Sequence, residues 1–214
     1  MIAIIKGDIV SSRKLIDQEK WLIPLKSLLS TWGNTPKQWE LVWGDFFQVE
    51  ITNPEDALKR ALEIKALIKK IEPSNERKNI SPIDVRMAIG IGEKTYSGDR
   101  ISESNGSAFI HAGEKFDKLK KENTKLGIKS PLQSLDNEIN LYLKLAGIFM
   151  DRWSVSSAEI IAIILKNPEI KQEEIGGLLD IKQNSVSGRR NRANADEILE
   201  VERVYRQKIK QLLI

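Results

Sequence analysis

Cysteine is absent from the chain, which excludes disulfides and zinc–thiolate sites and fits a reducing interior. No apolar run approaches the roughly 20 residues that a membrane-spanning helix requires. The first residues, MIAIIKGD, turn polar too early for a signal peptide. The single histidine, His111, has no nucleophile motif near it, so there is no Ser-His-Asp arrangement. We therefore expect a cytoplasmic protein without a membrane partner.

The composition that remains is that of a folded globular chain. Its 214 residues are 41% hydrophobic and 30% charged, which suits one large domain or two small ones. The formal net charge of +4 permits an anionic partner but does not specify one.

The first 130 residues alternate short apolar runs with amphipathic segments. Strands are predicted at 2–6, 39–43, 47–51, 83–91 and 125–129, and helices at 17–32, 53–71 and 107–121. Trp39, Leu41 and Trp43 alternate on the first strand of a hairpin. The order β-α-β-β-α-β, followed by a helix and a strand, predicts an α+β, ferredoxin-like domain. We expect its sheet to be antiparallel, with helices on one face.

After residue 131 only helical periodicity remains, which predicts an all-α second domain and a division into 1–130 and 131–214. A connecting helix carries one apolar stripe, namely Leu135, Ile139, Tyr142, Leu145, Phe149 and Trp153. Ser156 with Glu159 predicts a capping box at the start of the next helix. Further helices are predicted at 172–179, from Gln183, and at 196–213.

Two carboxylates fall at the ends of predicted strands. Asp8 follows the first strand, and Gly44-Asp45 separates two apolar runs, which predicts a β-hairpin with a carboxylate at its tip. If the first two strands are neighbours, Asp8 and Asp45 lie close together. Such a pair suits one or two hard divalent cations, Mg²⁺ or Mn²⁺, with phosphate oxygens completing the coordination. The alternative is that Asp45 only satisfies the turn geometry.

Residues 9–13, IVSSR, lead from the first strand towards a helix. Backbone N–H groups from Ile9 onward, with the side chains of Ser11, Ser12 and Arg13, predict a site for a nucleotide or another phosphate ligand. Arg13 could instead pair with a surface acid.

Three segments carry a family resemblance: 6–12 (KGDIVSS), 44–47 (GDFF) and 85–92 (VRMAIGIG). They resemble the two metal-aspartate segments and the following core strand of class III nucleotide cyclases and, more distantly, GGDEF domains. The resemblance implies a cyclase-type fold for most of residues 1–130 and metal-binding roles for Asp8 and Asp45.

The departures from the cyclase pattern concern catalysis. The cyclases carry a transition-state Asn and Arg where this chain has Ile110 and Glu114, and their base-reading Lys falls near Leu41. A cyclase transition state accumulates negative charge that needs cations. The resemblance therefore implies a degenerate domain that senses a ligand. The whole chain looks closest to the SatD family, which pairs such a domain with a C-terminal DNA-binding segment.

Residues 172–193, QEEIGGLLDIKQNSVSGRRNRA, fit a helix-turn-helix. The second helix would present polar side chains that can contact base edges and phosphates: Gln183, Asn184, Ser185, Ser187, Arg189 and Arg192. The alternative is a three-helix bundle for protein contact, in which the arginines form a solvated face.

Together these features predict a DNA-binding transcriptional regulator with a ligand-sensing first domain. Two alternatives stay open: a metal-dependent nucleotide cyclase or nucleotidyl transferase that uses Asp8 and Asp45, and a protein-interaction module. The apolar stripe of the last helix packs within its domain or pairs two subunits, and a homodimer would suit operator symmetry.

Overall fold

The computed structural model describes residues 1–42, 44–72 and 81–213. Within these ranges it is an α+β protein with a five-stranded mixed sheet and eight α-helices. The strands are β1 (Ile2–Val10), β2 (Trp39–Val42), β3 (Phe46–Ile51), β4 (Asp84–Gly92) and β5 (Leu126–Lys129). The prediction for Trp43 concerns a residue outside these ranges.

The helices of the first half are α1 (Glu19–Ser30), α2 (Ala57–Lys69) and α3 (Ser107–Leu119). Those of the second half are α4 (Gln133–Met150), α5 (Val155–Lys166), α6 (Gln172–Leu179), α7 (Gln183–Ala193) and α8 (Ala195–Leu213). The predicted order of elements is confirmed, and the predicted boundary near residue 131 falls between β5 and α4. None of the described helices is both long and apolar enough to cross a membrane.

The strand order is β2-β3-β1-β4-β5, with β1 antiparallel to both β3 and β4. The prediction that the first two strands are neighbours is wrong. The six-residue β3 is the longer and more buried hairpin strand and takes the place beside β1, which leaves the four-residue β2 at the sheet edge. The prediction of an antiparallel sheet is also wrong at one position, because β5 is parallel to β4 after the α3 crossover.

Helices cover both faces of the sheet, so the prediction of helices on one face is wrong. Ile5 and Ile89 share a core with α1 and α2, whereas Ile4 packs with α3 on the opposite face. The reason lies in β4: a Cβ at Gly90 would come within 2.2 Å of the Ala108 carbonyl oxygen. Only glycine allows the α3 backbone to approach this closely.

Helices α4 to α8 extend the larger core rather than forming a separate one. Buried side chains of α4, α5 and α8 are continuous with those of α2, and the Tyr205 hydroxyl on α8 donates to the Pro54 carbonyl oxygen at 2.8 Å.

Two local predictions, for the cap of α5 and for the buried stripe of α4, are corrected. Ser154, not Ser156, caps α5, since its Oγ accepts from the Ser157 N–H.

The buried stripe of α4 also differs from the predicted one. It consists of Leu135, Ile139, Leu143, Ala146 and Met150, together with Asp136, while Leu145 is 51% exposed. The predicted and observed stripes share Leu135 and Ile139 and separate after them, because the core lies on the side of Leu143, Ala146 and Met150.

Candidate functional site

Asp8 lies near the end of β1, directly opposite Arg86 on β4. Arg86 donates two hydrogen bonds to its carboxylate, from Nε to Oδ1 at 3.0 Å and from Nη2 to Oδ2 at 2.6 Å. Both side chains are about three-quarters buried, with 24% and 22% exposed. Two parallel charge-assisted bonds form the strongest geometry available to this pair. The predicted metal ligand Asp8 is therefore neutralised by a cation of the same chain.

An aromatic pair holds Arg86 in place. The guanidinium lies 5.3 Å from the centre of the Phe116 ring on α3, and Phe116 meets Phe46 edge to face at 5.5 Å. Cation–π contact and aromatic packing restrict the guanidinium to the position in which it reaches Asp8. We did not predict a role for Arg86. The available signal was a lone arginine inside the mostly apolar strand 83–91.

Asp45 lies at the tip of the β2–β3 hairpin, and its backbone is attached to the end of β1. The Ile9 N–H donates to the Asp45 carbonyl oxygen at 3.0 Å, and the Ser12 hydroxyl donates to Asp45 Oδ2 at 2.9 Å. Asp45 thus closes the loop that follows β1. The structure brings Asp8 and Asp45 to one end of the sheet but gives their carboxylates different partners.

These carboxylates do not fit a resident divalent cation as they stand. Both oxygens of Asp8 accept from Arg86, and one oxygen of Asp45 accepts from Ser12. Within the described ranges no group of three or more His, Asp or Glu side chains is placed to hold a metal ion. A cation here would first have to displace Arg86.

The donors of the predicted phosphate loop are largely used in hydrogen bonds within the chain. The Ile9 N–H and the Ser12 hydroxyl are used as described, and the residues Ser12–Lys14 form a single 3₁₀ turn. Ser11 adopts a left-handed conformation with φ of 62°, and both Ser11 and Arg13 are exposed. Helix α1 begins only at Glu19, so its first turn does not follow this loop directly.

The two α3 residues that differ from the cyclase pattern, Ile110 and Glu114, are both exposed. Ile110 is 54% exposed, and Glu114 is exposed and paired with Lys129. The Lys129 ammonium bonded to Glu114 lowers the pKa of that carboxyl below its ordinary value. His111 donates from Nδ1 to the Ile91 carbonyl oxygen at 2.7 Å, which fits an ordinary packed histidine.

The second set of predicted residues lies on α7, which follows α6 after a three-residue turn. Asp180 occupies this turn in the left-handed conformation with φ of 50°, and Ile175 and Val186 are completely buried between the helices. Gln183, Asn184, Ser185 and Arg192 are exposed on α7, whereas Ser187 is half-buried.

Two arginines of α7 are engaged within the chain. Arg189 donates to Glu159 of α5 at 2.8 Å, and Arg190 pairs with Asp196 at the start of α8. Arg189 is one of the predicted DNA contacts, and its guanidinium connects α7 to α5 in this structure. An ion pair of this kind is only partly buried, so a competing phosphate can exchange with the carboxylate.

A partly buried charged cluster joins the sheet to the C-terminal end of α4, and we did not predict it. Lys65 of α2, with a side chain 1% exposed, binds Asp84 at 3.0 Å and also binds Asp151. Lys125 binds the same two acids, at 3.2 and 2.7 Å. Burial alone would raise the pKa of Asp151, but Lys65 and Lys125 outweigh it and hold the pKa below its ordinary value. The available signal was Lys65 on the apolar face of α2.

Comparison with known proteins does not assign the chain to a family. No protein-family model matches it. No curated protein matches it either.

Proposed function

We propose that the chain is a DNA-binding transcriptional regulator. In this proposal residues 1–130 form a ferredoxin-like, nucleotide-cyclase-type domain that senses a ligand, and residues 131–214 form a helix-turn-helix domain. The observation that carries the proposal is α7, whose exposed N-terminal half presents Gln183, Asn184 and Ser185 beyond a contact with α6 in which Ile175 and Val186 are completely buried.

The chemistry of this face suits duplex DNA. Glutamine and asparagine can each form two hydrogen bonds with adenine in the major groove, and serine reaches either base edges or phosphates. Arg192 is exposed near the C-terminal end of α7, where a cation can bind the phosphate backbone. The packing of α6 against α7 matters because base readout requires that α7 be held at a fixed angle to the rest of the domain.

Fluorescence anisotropy with duplexes selected from a random library tests the proposal. Gln183→Ala with Asn184→Ala should lose about 1–3 kcal/mol of discrimination between selected and scrambled duplexes. Arg192→Ala should weaken binding to both about equally. Arg203→Ala is the matched control, since it removes one charge from α8, where the side chain is 57% exposed. A wild-type protein with no salt-dependent affinity for any duplex contradicts the proposal.

The ligand of the first domain is proposed as a nucleotide or another phosphate compound, with Mg²⁺ or Mn²⁺ if Arg86 releases Asp8. Arg86 would then be available to bind the phosphate. Since the carboxylates as arranged do not fit a resident cation, we derive no catalytic step from them. Native mass spectrometry of the purified protein detects retained nucleotides and metals. It also gives the number of subunits, which tests the proposed homodimer.

An enzymatic function is the second candidate, because the Ile9–Asp45 hydrogen bond holds the hairpin tip beside the end of β1. Incubation with nucleoside triphosphates and Mn²⁺, followed by mass spectrometry of the products, tests it. Turnover that disappears in Asp45→Asn would establish a cyclase or nucleotidyl transferase. If melting temperature responds to neither nucleotides, metals nor DNA, a protein-interaction module becomes the better proposal.

A further inference from the structure

A cavity of about 320 Å³ lies where α1 and α2 of the first half meet α5 of the second. It is separate from the Asp8–Asp45 end of the sheet and from the exposed face of α7. Its size is at the lower end of the range found for small-molecule sites, about 300–1,000 Å³. The cavity therefore suits a ligand built on one ring system.

Part of the lining is apolar and half-buried: Leu28, Trp32, Leu67 and Ala162. The Arg60 guanidinium lies 5.0 Å from the centre of the Trp32 ring. This contact orients the indole and puts a cation beside it. A flat, apolar ligand body would find aromatic and aliphatic surface here without displacing a core side chain.

The charged part of the lining has an excess of cations. Lys59, Arg60, Lys70 and Lys166 line the cavity, against the single carboxylate of Glu63. That carboxylate is already bonded to Arg60 at 3.0 Å. Partial desolvation of the ammonium, followed by the nearby Lys166, lowers the pKa of Lys70, and Glu159 partly offsets this. An anion placed between these two lysines would remove their mutual repulsion.

We propose that this cavity binds a small aromatic anion, with a phosphate or carboxylate group between Lys70 and Lys166 and the ring system against Trp32 and Leu67. The site joins the two halves of the chain, and α5 also carries Glu159, the partner of Arg189 on α7. An effect of the ligand on α7 rests on the proposed function. Binding of the ligand itself does not.

Isothermal titration calorimetry without DNA tests the site, so its result is distinguishable from a failure of DNA binding. The probes are 2-naphthyl phosphate, 2-naphthoate and the neutral 2-naphthol. We expect one of the two anions to bind with a stoichiometry of one per chain, and the stronger one identifies the head group. The neutral probe should bind at least about tenfold more weakly, because it forms no charge-assisted hydrogen bonds.

The variant Lys70→Ala with Lys166→Ala should lose about tenfold or more in affinity for the anion. Both lysines are exposed, so the fold should tolerate their removal. The conservative variant Lys70→Arg with Lys166→Arg should retain binding. The charge-matched control, Lys120→Ala with Lys121→Ala, should also retain it, because it removes the same charge from exposed positions outside the cavity. Equal binding of naphthol and the anions, wild-type affinity in the Lys70/Lys166 alanine variant, or no binding of either anion at millimolar concentration would each overturn the proposal.

Discussion

Arg86 of β4 and Asp8 of β1 are joined by two hydrogen bonds across neighbouring strands, at 3.0 and 2.6 Å. The residue that resembles the first metal aspartate of a cyclase is therefore neutralised without a metal. Because the arginine is also packed against Phe116, the pair is an ordered part of the sheet surface rather than a loose ion pair.

The first prediction concerns the energy of this pair. Asp8→Asn and Arg86→Gln should each lower the free energy of unfolding by about 1–2 kcal/mol, because each leaves a largely buried charge without its partner. The double variant should lose less than the sum, by about 0.5 kcal/mol or more. Urea unfolding measures all three, with exposed Arg13→Gln as control. Strict additivity would show that the pair contributes no coupling.

The second prediction concerns metal binding. In Arg86→Gln both Asp8 oxygens become available, so the affinity for Mn²⁺ should rise above that of the wild type. Adding Asp45→Asn should reverse the gain, since two carboxylates bind the cation better than one. Electron paramagnetic resonance of free Mn²⁺ measures both affinities. Unchanged Mn²⁺ affinity in Arg86→Gln would mean that Arg86 and the cation do not compete.

The third prediction concerns acid stability. The pKa of Asp151 lies below its ordinary value of 3.8 because Lys65 and Lys125 outweigh the effect of burial. In the unfolded chain those lysines are distant, so the contribution of Asp151 to stability is present above about pH 4 and is lost as the pH falls through the folded pKa. At neutral pH the Asp151→Asn variant should therefore be less stable than the wild type. On acidification it should lose less unfolding free energy than the wild type loses.

Urea midpoints measured from about pH 7 to about pH 2.5 give this comparison. Exposed Asp99→Asn is the control and should follow the wild-type curve. If Asp151→Asn also runs parallel to the wild type, the carboxylate does not gain stability from its lysines.

The fourth prediction concerns the attachment of α8. The Tyr205 hydroxyl is buried and donates to the Pro54 carbonyl oxygen, so Tyr205→Phe leaves a buried acceptor without its donor. We expect a loss of about 1–2 kcal/mol of unfolding free energy. Tyr142→Phe should cost less than about 0.5 kcal/mol, because its partly exposed hydroxyl bonds to the partly exposed carboxylate of Glu138 and is open to water. Equal losses would show that the Pro54 contact does not hold α8.

The fifth prediction concerns the Arg189–Glu159 pair and depends on DNA binding. Glu159→Gln removes a negative charge beside α7 and frees the Arg189 guanidinium, so affinity for any duplex should rise. The slope of log affinity against log salt should steepen by about 1, as expected for one more phosphate contact. Anisotropy at several salt concentrations measures the slope. An unchanged slope would mean that Arg189 does not reach the DNA.

Prediction from the sequence succeeded where the signal is local. The bounds of α6 and the start of α7 agree with the predicted ones, because Asp180 interrupts two short periodic segments. The predicted hairpin around Gly44-Asp45 is also confirmed, because its signal is a local turn, in which Gly44 has a φ of 89°. Each of these signals depends on residues within a few positions of one another.

Prediction failed where partners are distant in the sequence. Asp8 and Arg86 are 78 residues apart, and Lys65 and Asp151 are 86 apart. No periodicity in either segment indicates which arginine or lysine a carboxylate will meet. The position of α3 was missed in the same way, since nothing near Gly90 in the sequence identifies the helix that approaches it.

The sequence by itself determined the order of strands and helices, the hairpin and the short helix pair near the C-terminus, because apolar periodicity and turn residues act over one or two turns of the backbone. Only the tertiary structure decided which strands are neighbours, that α3 covers the second face of the sheet, and that Asp8 is bound by Arg86. The physical reason is that burial and charge pairing depend on the surroundings of each side chain in space. Those surroundings exist only after the sheet has formed and the helices have packed on it.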